Sequence, residues 1–181
     1  FDKALEILQE IDENTIEILQ DESILNYANV YYEIKDITKL RSLIEPMKKL
    51  VESNPLYYYK KQLYYTKGLL NELEENFDDA IENHKKAKEF NKTALPQLIG
   101  LARCHRLNDE SKRAREYVDI ALQLYPFHGE VRYESALIYA ESGQINKAKE
   151  DMAVVLDVWS AADNDHIKAN KAKLKLAEWM K

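Results

Sequence analysis

Small residues return at a fixed interval through the middle of this chain. Gly68, Ala102 and Ala136 are 34 residues apart, as are Ala80, Ala114 and Ala148, and a third row runs through Ala87, Ala121 and Val155. A 34-residue period in helix-forming sequence marks an array of helical hairpins, each of which buries its apolar face only by stacking on its neighbours. Small residues at corresponding places on successive helices let their backbones approach closely, which larger side chains would prevent. Only four Gly and four Pro occur among 181 residues, with Ala, Leu, Glu and Lys prominent. A sheet protein needs many more turn residues, so the chain is all-α. A helix content of about three quarters is predicted, against ~1/3 in an average globular protein.

Three regular units follow from the period, at 61–94, 95–128 and 129–162. Within them position 11 reads Asn71, His105 and Tyr139, position 17 reads Phe77, Ser111 and Ile145, and position 32 is proline only at Pro126. The pattern resembles the tetratricopeptide repeat family, which places a small residue at position 8, alanines at 20 and 27, and apolar or aromatic residues at 4, 7, 11, 17 and 24. Lys67, Asn71, Arg132 and Ser135 depart from it. The resemblance implies a right-handed α-α superhelix, a solenoid of helical hairpins closed by a C-terminal capping helix, whose business is to hold other polypeptides.

The flanks are less regular. Phe1-Asp2-Lys3-Ala4-Leu5 reads like Phe77-Asp78-Asp79-Ala80-Ile81, so 1–20 is a partial repeat and the chain is expected to be a fragment of a larger bacterial protein. Residues 21–60 form an irregular repeat. Its first helix occupies about 15–34, and its second, about 37–53, carries Leu40 where alanine is usual and a break near Ile44 caused by Pro46, which removes a backbone donor and clashes with the preceding turn. A long helix over 56–73 opens with Pro55 in its first turn and carries Tyr57, Tyr58, Tyr59, Tyr64 and Tyr65. Three consecutive tyrosines cover about 300° of a helix, and they are expected to pack around the Pro46 region. Turns fall at Asn76, Glu110 and Gln144, with Gly143 ending its helix in left-handed backbone. The cap, 163–181, begins at Asp163-Asn164-Asp165, read as helix caps. It continues with an apolar stripe of Ala169, Ala172, Leu176 and Trp179 and a basic face of Lys168, Lys171, Lys173, Lys175 and Lys181. The segment from Leu156 to Trp159, Ala162-Asp163 and this lysine-rich end together resemble the closing segment of tetratricopeptide tails on some multidomain bacterial signalling proteins.

Charge and motif content narrow the function. A formal net charge of −6 opposes non-specific binding to nucleic acid or anionic lipid. No stretch approaches the ~20 apolar residues of a membrane-spanning helix. The one cysteine forms no internal disulfide and suits a reducing, cytoplasmic setting. Phosphate loops, nucleophile elbows and zinc motifs are absent. Cys104, His105 and His84 have the chemistry of metal ligands, but positions 11 and 24 are ordinary core positions where a histidine finds a backbone acceptor. They are read as core. No metal, no cofactor and no enzymatic activity are expected.

In the resembled family positions 5, 9 and 12 of each first helix line the binding groove. Those positions hold Leu25, Asn29 and Tyr32; Tyr65, Leu69 and Glu72; Ile99, Arg103 and Arg106; Tyr133, Leu137 and Ala140. Only Asn29 keeps the asparagine that grips a peptide carboxylate in one version of the groove. The candidate lining is therefore aromatic and apolar around Arg103 and Arg106, which share a helix face and suit an acidic residue of the bound segment. The implied function is a protein-interaction scaffold. A regulatory or oligomerising tail contacting an upstream domain of its own chain is the alternative.

Overall fold

A computed structural model describes residues 22–161 and 166–181, with side chains from residue 27 onward. Among the described residues all regular structure is α-helical: α1 (Glu22–Glu33), α2 (Ile37–Ser42), α3 (Ile44–Ser53), α4 (Tyr57–Leu73), α5 (Phe77–Glu89), α6 (Leu95–Leu107), α7 (Ser111–Leu124), α8 (Gly129–Glu141), α9 (Ile145–Val158) and α10 (Ile167–Trp179). The chain divides into two compact units, Phe1–Gly100 and Leu101–Lys181. The partial repeat at 1–20 and the aspartates at 163 and 165 lie outside the described residues.

The repeat is most visible in its turns. Lys35, Glu75, Asp109 and Gly143 all have left-handed backbone, with φ of 58°, 60°, 57° and 76°, and the last three are one period apart. In each turn the amide of the following residue reaches back five residues, from Asp36 to the Tyr31 carbonyl, Asn76 to Asn71, Glu110 to His105 and Gln144 to Tyr139. The left-handed residue itself donates three residues back. This is the Schellman closure, which satisfies carbonyls that the helix end would otherwise leave unpaired. Asp36, Asn76, Glu110 and Gln144 are at the same time the N-caps of the next helices. One residue thus ends one helix and begins another, and the hairpin geometry repeats. The turns read from the sequence at Asn76, Glu110 and Gln144 stand where they were placed.

In the first unit the break before Pro46 is real. α2 ends at Ser42, Leu43 carries the turn, and Pro46 is the third residue of α3, where a missing N–H costs nothing because first-turn amides have no intrahelical partner. The split lets Leu40, Leu43 and Met47 turn inward together, joining Ala28, Tyr31, Leu63, Tyr65, Leu69, Leu70 and Ala87 in one core. Pro55 precedes α4 rather than starting its first turn, since Leu56 is the cap. The tyrosine run is only partly absorbed: Tyr58 and Tyr59 meet edge to face, while Tyr57 stays 65% exposed.

In the second unit Ala136, Met152, Val155 and Ala172 form a core flanked by Tyr133, Leu156, Trp159, Leu176 and Trp179. α10 packs on α9 through the stripe expected of a cap, with Ala169 and Ala172 buried and Leu176 and Trp179 half-buried. Its N-cap is His166, whose Nδ1 accepts from the Ala169 amide at 3.0 Å. Lys168 ties the same helix to Glu130 of α8 at 2.7 Å. Burial raises the Glu130 pKa, but Lys168, Arg103 and His128 outweigh it and hold the carboxyl below its usual range.

A non-glycine residue in left-handed backbone costs about 1–2 kcal/mol, partly offset when glycine adds freedom to the unfolded chain. Glu75→Gly and Asp109→Gly should each stabilise the protein by about 0.5–1 kcal/mol in urea denaturation. A loss of stability from either would mean that these residues are not the helix-ending positions of the period.

Candidate functional site

The groove positions read from the sequence become two different environments. In the first unit they largely bind one another. Tyr65 is buried and donates its hydroxyl hydrogen to Asn29 Oδ1 at 2.9 Å, and Tyr32 donates to Glu72 Oε2 at 2.8 Å. The other Glu72 oxygen lies 2.6 Å from Nε2 of His84, a ring that is fully buried. A chain of Tyr32, Glu72 and His84 therefore joins α1, α4 and α5. It meets the requirement that a buried carboxylate be hydrogen-bonded on both oxygens. Leu69 is 1% exposed and Ile99 5%; these two are core, so they back the face rather than line it. Asn29 and Tyr32 remain half-buried and are what this unit presents. The Leu25 side chain lies outside those described.

The second unit treats its two arginines differently. Arg106 is gripped by Glu134 at 2.5 Å and by Glu141 at 2.7 Å, tying α6 to α8. Its fork is thus occupied within the chain. Burial lowers the guanidinium pKa, while the two carboxylates raise it by more, so the group stays charged. Arg103 is half-buried, and its charge bears on Glu130. Tyr133 and Leu137 are half-buried on α8. Ala140 is half-buried as well, so Arg103, Tyr133, Leu137 and Ala140 keep surface at the candidate positions of this unit, and Arg106 keeps 12% of its side chain exposed.

The histidines are core residues, with one correction. His84 and His105 take carboxylates, Glu72 and Glu110, rather than backbone carbonyls as partners. His105 also stacks on Tyr117 with ring centroids 5.4 Å apart. Cys104 is buried. The buried acid Asp151 carries no signal of its own in the spacing, although Arg132, an apparent misfit at position 4, forms its ion pair with it at 2.6 Å. The signal available was a single charge, Arg132, at position 4, which the pattern reserves for an apolar residue.

Comparison with solved structures bears on the fold. Over 99% of this chain and 86% of the other, the structure is similar to a thermophilic TPR protein of Thermus thermophilus, with a TM-score of 0.62 and 18% identity. The chain has the tetratricopeptide-repeat fold. A tetratricopeptide repeat protein from Parabacteroides merdae is similar over 88% of this chain and 61% of its own (TM-score 0.56, 18% identity). So is YrrB, described as a TPR protein with an unusual peptide-binding site, over 86% of this chain and 84% of its own (TM-score 0.54, 18% identity). No protein-family model matches the tetratricopeptide-like sequence. Among curated proteins, E3 SUMO-protein ligase RanBP2 of Pan troglodytes is 31% identical over 101 residues, which are 55% of this chain and 3% of that protein.

The two arginines of α6 are separable by experiment. Removing Arg106 leaves Glu134, 4% exposed at its side chain, charged and without its partner. Arg106→Leu should therefore cost about 3 kcal/mol or more, and adding Glu134→Leu should recover most of the loss. Equal stability of wild type and Arg106→Leu in chemical denaturation would return Arg106 to the candidate binding residues.

Proposed function

We propose that this chain is a non-catalytic scaffold that holds a segment of a partner polypeptide on the first helices of its hairpins. The observation that carries the proposal is the selective exposure at positions 5 and 9 of the second unit. Arg103, Tyr133 and Leu137 keep surface there, while neighbours such as Ala102, Val131 and Ala136 are fully buried. Aromatic and arginine side chains backed by a rigid core are the types that carry most binding energy at interfaces. The peptide-binding site described for YrrB supports the same use of the fold. In the first unit Asn29 and Tyr32 take the corresponding role, held in place by the hydrogen bonds to Tyr65 and Glu72. An acidic residue in the partner segment suits Arg103, which keeps surface at position 9, whereas Arg106 is held between Glu134 and Glu141. The single buried cysteine fits a cytoplasmic setting, and no helix among the described residues is long and apolar enough to cross a membrane.

Peptides selected from a displayed random library against this chain supply the test. Selected sequences should combine apolar anchors with Asp or Glu, and Arg103→Glu and Tyr133→Ala should each weaken them about tenfold or more by calorimetry, a loss of about 1.4 kcal/mol. Helicity and melting temperature should be unchanged by Arg103→Glu. Peptides that bind both variants as well as wild type would put the binding face elsewhere.

A further inference from the structure

The cap helix repeats the burial pattern of the first helices before it. Counted on by the 34-residue period, Ala169 and Ala172 of α10 correspond to Leu101 and Cys104 of α6 and to Ser135 and Ile138 of α8. All six are buried, at 4% exposure or less. Residues three apart share a helix face, so α10 turns the same face inward as α6 and α8 do. An ion pair from Lys168 to Glu130, at 2.7 Å, holds it beside α8 in that orientation. The side of α10 that continues the candidate face is thereby set. Positions 5, 9 and 12 of the period fall on Ile167, Lys171 and Leu174.

A terminal helix needs only a polar outer face, yet Leu174 is 67% exposed. Lys171, one turn before it, is exposed and enters no ion pair among the described residues. All three carboxylates of α8 are already taken, Glu130 by Lys168 and both Glu134 and Glu141 by Arg106, so the Lys171 charge is left for a partner. We propose that α10 is the last helix of the peptide face, with Lys171 taking an acidic side chain and Leu174 an apolar side chain of the segment that Arg103, Tyr133 and Leu137 hold. This rests on the function proposed above and defines the partner further. Position 9 reads Arg103, Leu137 and Lys171, a cation on each side of an apolar residue. Neighbouring helix axes lie about 8–10 Å apart, so the two cations are about 16–20 Å apart, a span that an extended chain covers in about five or six residues. The partner is therefore an extended segment with two acidic residues at about that spacing, apolar between them, and with an apolar side chain beside the second acid.

The test uses the full chain and the peptides selected from the displayed library. Those peptides should carry Asp or Glu at two places about five or six residues apart. Lys171→Glu and Leu174→Ala should each weaken binding about tenfold in calorimetry, with helicity and melting temperature unchanged because both side chains are exposed. Lys173→Glu makes the same charge change about 200° round the helix and should leave affinity within about twofold at physiological salt. Replacing the second acid of the peptide by Lys should weaken binding to the wild-type chain and restore it to Lys171→Glu. If Arg103→Glu and Tyr133→Ala weaken the peptides while Lys171→Glu and Leu174→Ala do not, α10 is a cap alone; the inference then fails and the proposed function stands. If none of the four variants weakens them, both are wrong. Self-association of the free chain in sedimentation, abolished by Leu174→Ala, would assign this side of α10 to a second copy and also overturn the proposal.

Discussion

Everything in this fold depends on helices approaching one another where no side chain holds them apart. Ala80, Ala87, Ala102, Ala114, Ala121, Ala136 and Ala148 are all 0% exposed, so each marks a place where one helix rests directly on another. In the first unit two glycines go further. A Cβ on Gly68 or on Gly100 would lie 2.7 Å from the His84 ring, closer than non-bonded atoms tolerate, so the imidazole fills the space that two missing side chains leave. The second unit repeats the arrangement with different chemistry, since a Cβ on Gly129 would lie 2.5 Å from the Trp159 indole. In both, a flat ring sits against bare backbone. The dense packing of protein interiors makes such a seat specific to the ring that occupies it.

The close packing also explains where charge is buried. His84 is fully enclosed, so its ring nitrogen needs a partner, and Glu72 supplies it while reaching Tyr32 with its other oxygen. Glu134 with Arg106 and Asp151 with Arg132 bind neighbouring helices of the second unit in the same way. Ion pairs of this kind add little net stability, but each makes the loss of one partner expensive. They restrict which helix faces can meet.

The fold was legible in the sequence because its main determinant is periodic. Small residues every 34 positions located the helix crossings, Pro46 located the break between α2 and α3, and Gly143 identified one left-handed turn. Lys35, Glu75 and Asp109 adopt the same backbone without glycine to announce it, because the Schellman hydrogen bonds and the packed hairpin compensate for the strain. The binding positions were less legible. Position within a repeat says which face of a helix a residue shares, not whether a neighbouring helix already covers it. Leu69 and Ile99 were covered, and Arg106 was engaged by Glu134 and Glu141 of α8. Glu72, a groove-lining position by its place in the repeat, proved to be the anchor of His84.

The seat of His84 offers the most direct measurement. In the wild-type chain Gly68→Ala pushes a methyl group into a ring that its bond to Glu72 holds in place, and should destabilise by about 1–3 kcal/mol. In a His84→Ala, Glu72→Gln background the ring and the buried charge are gone. There the same methyl group should be neutral or stabilising, since alanine is favoured over glycine in a helix by about 1 kcal/mol. A coupling of at least about 1 kcal/mol between the two positions in a denaturation cycle is the expected result. Equal effects of Gly68→Ala in both backgrounds would contradict the claim that close backbone approach around His84 organises the first unit.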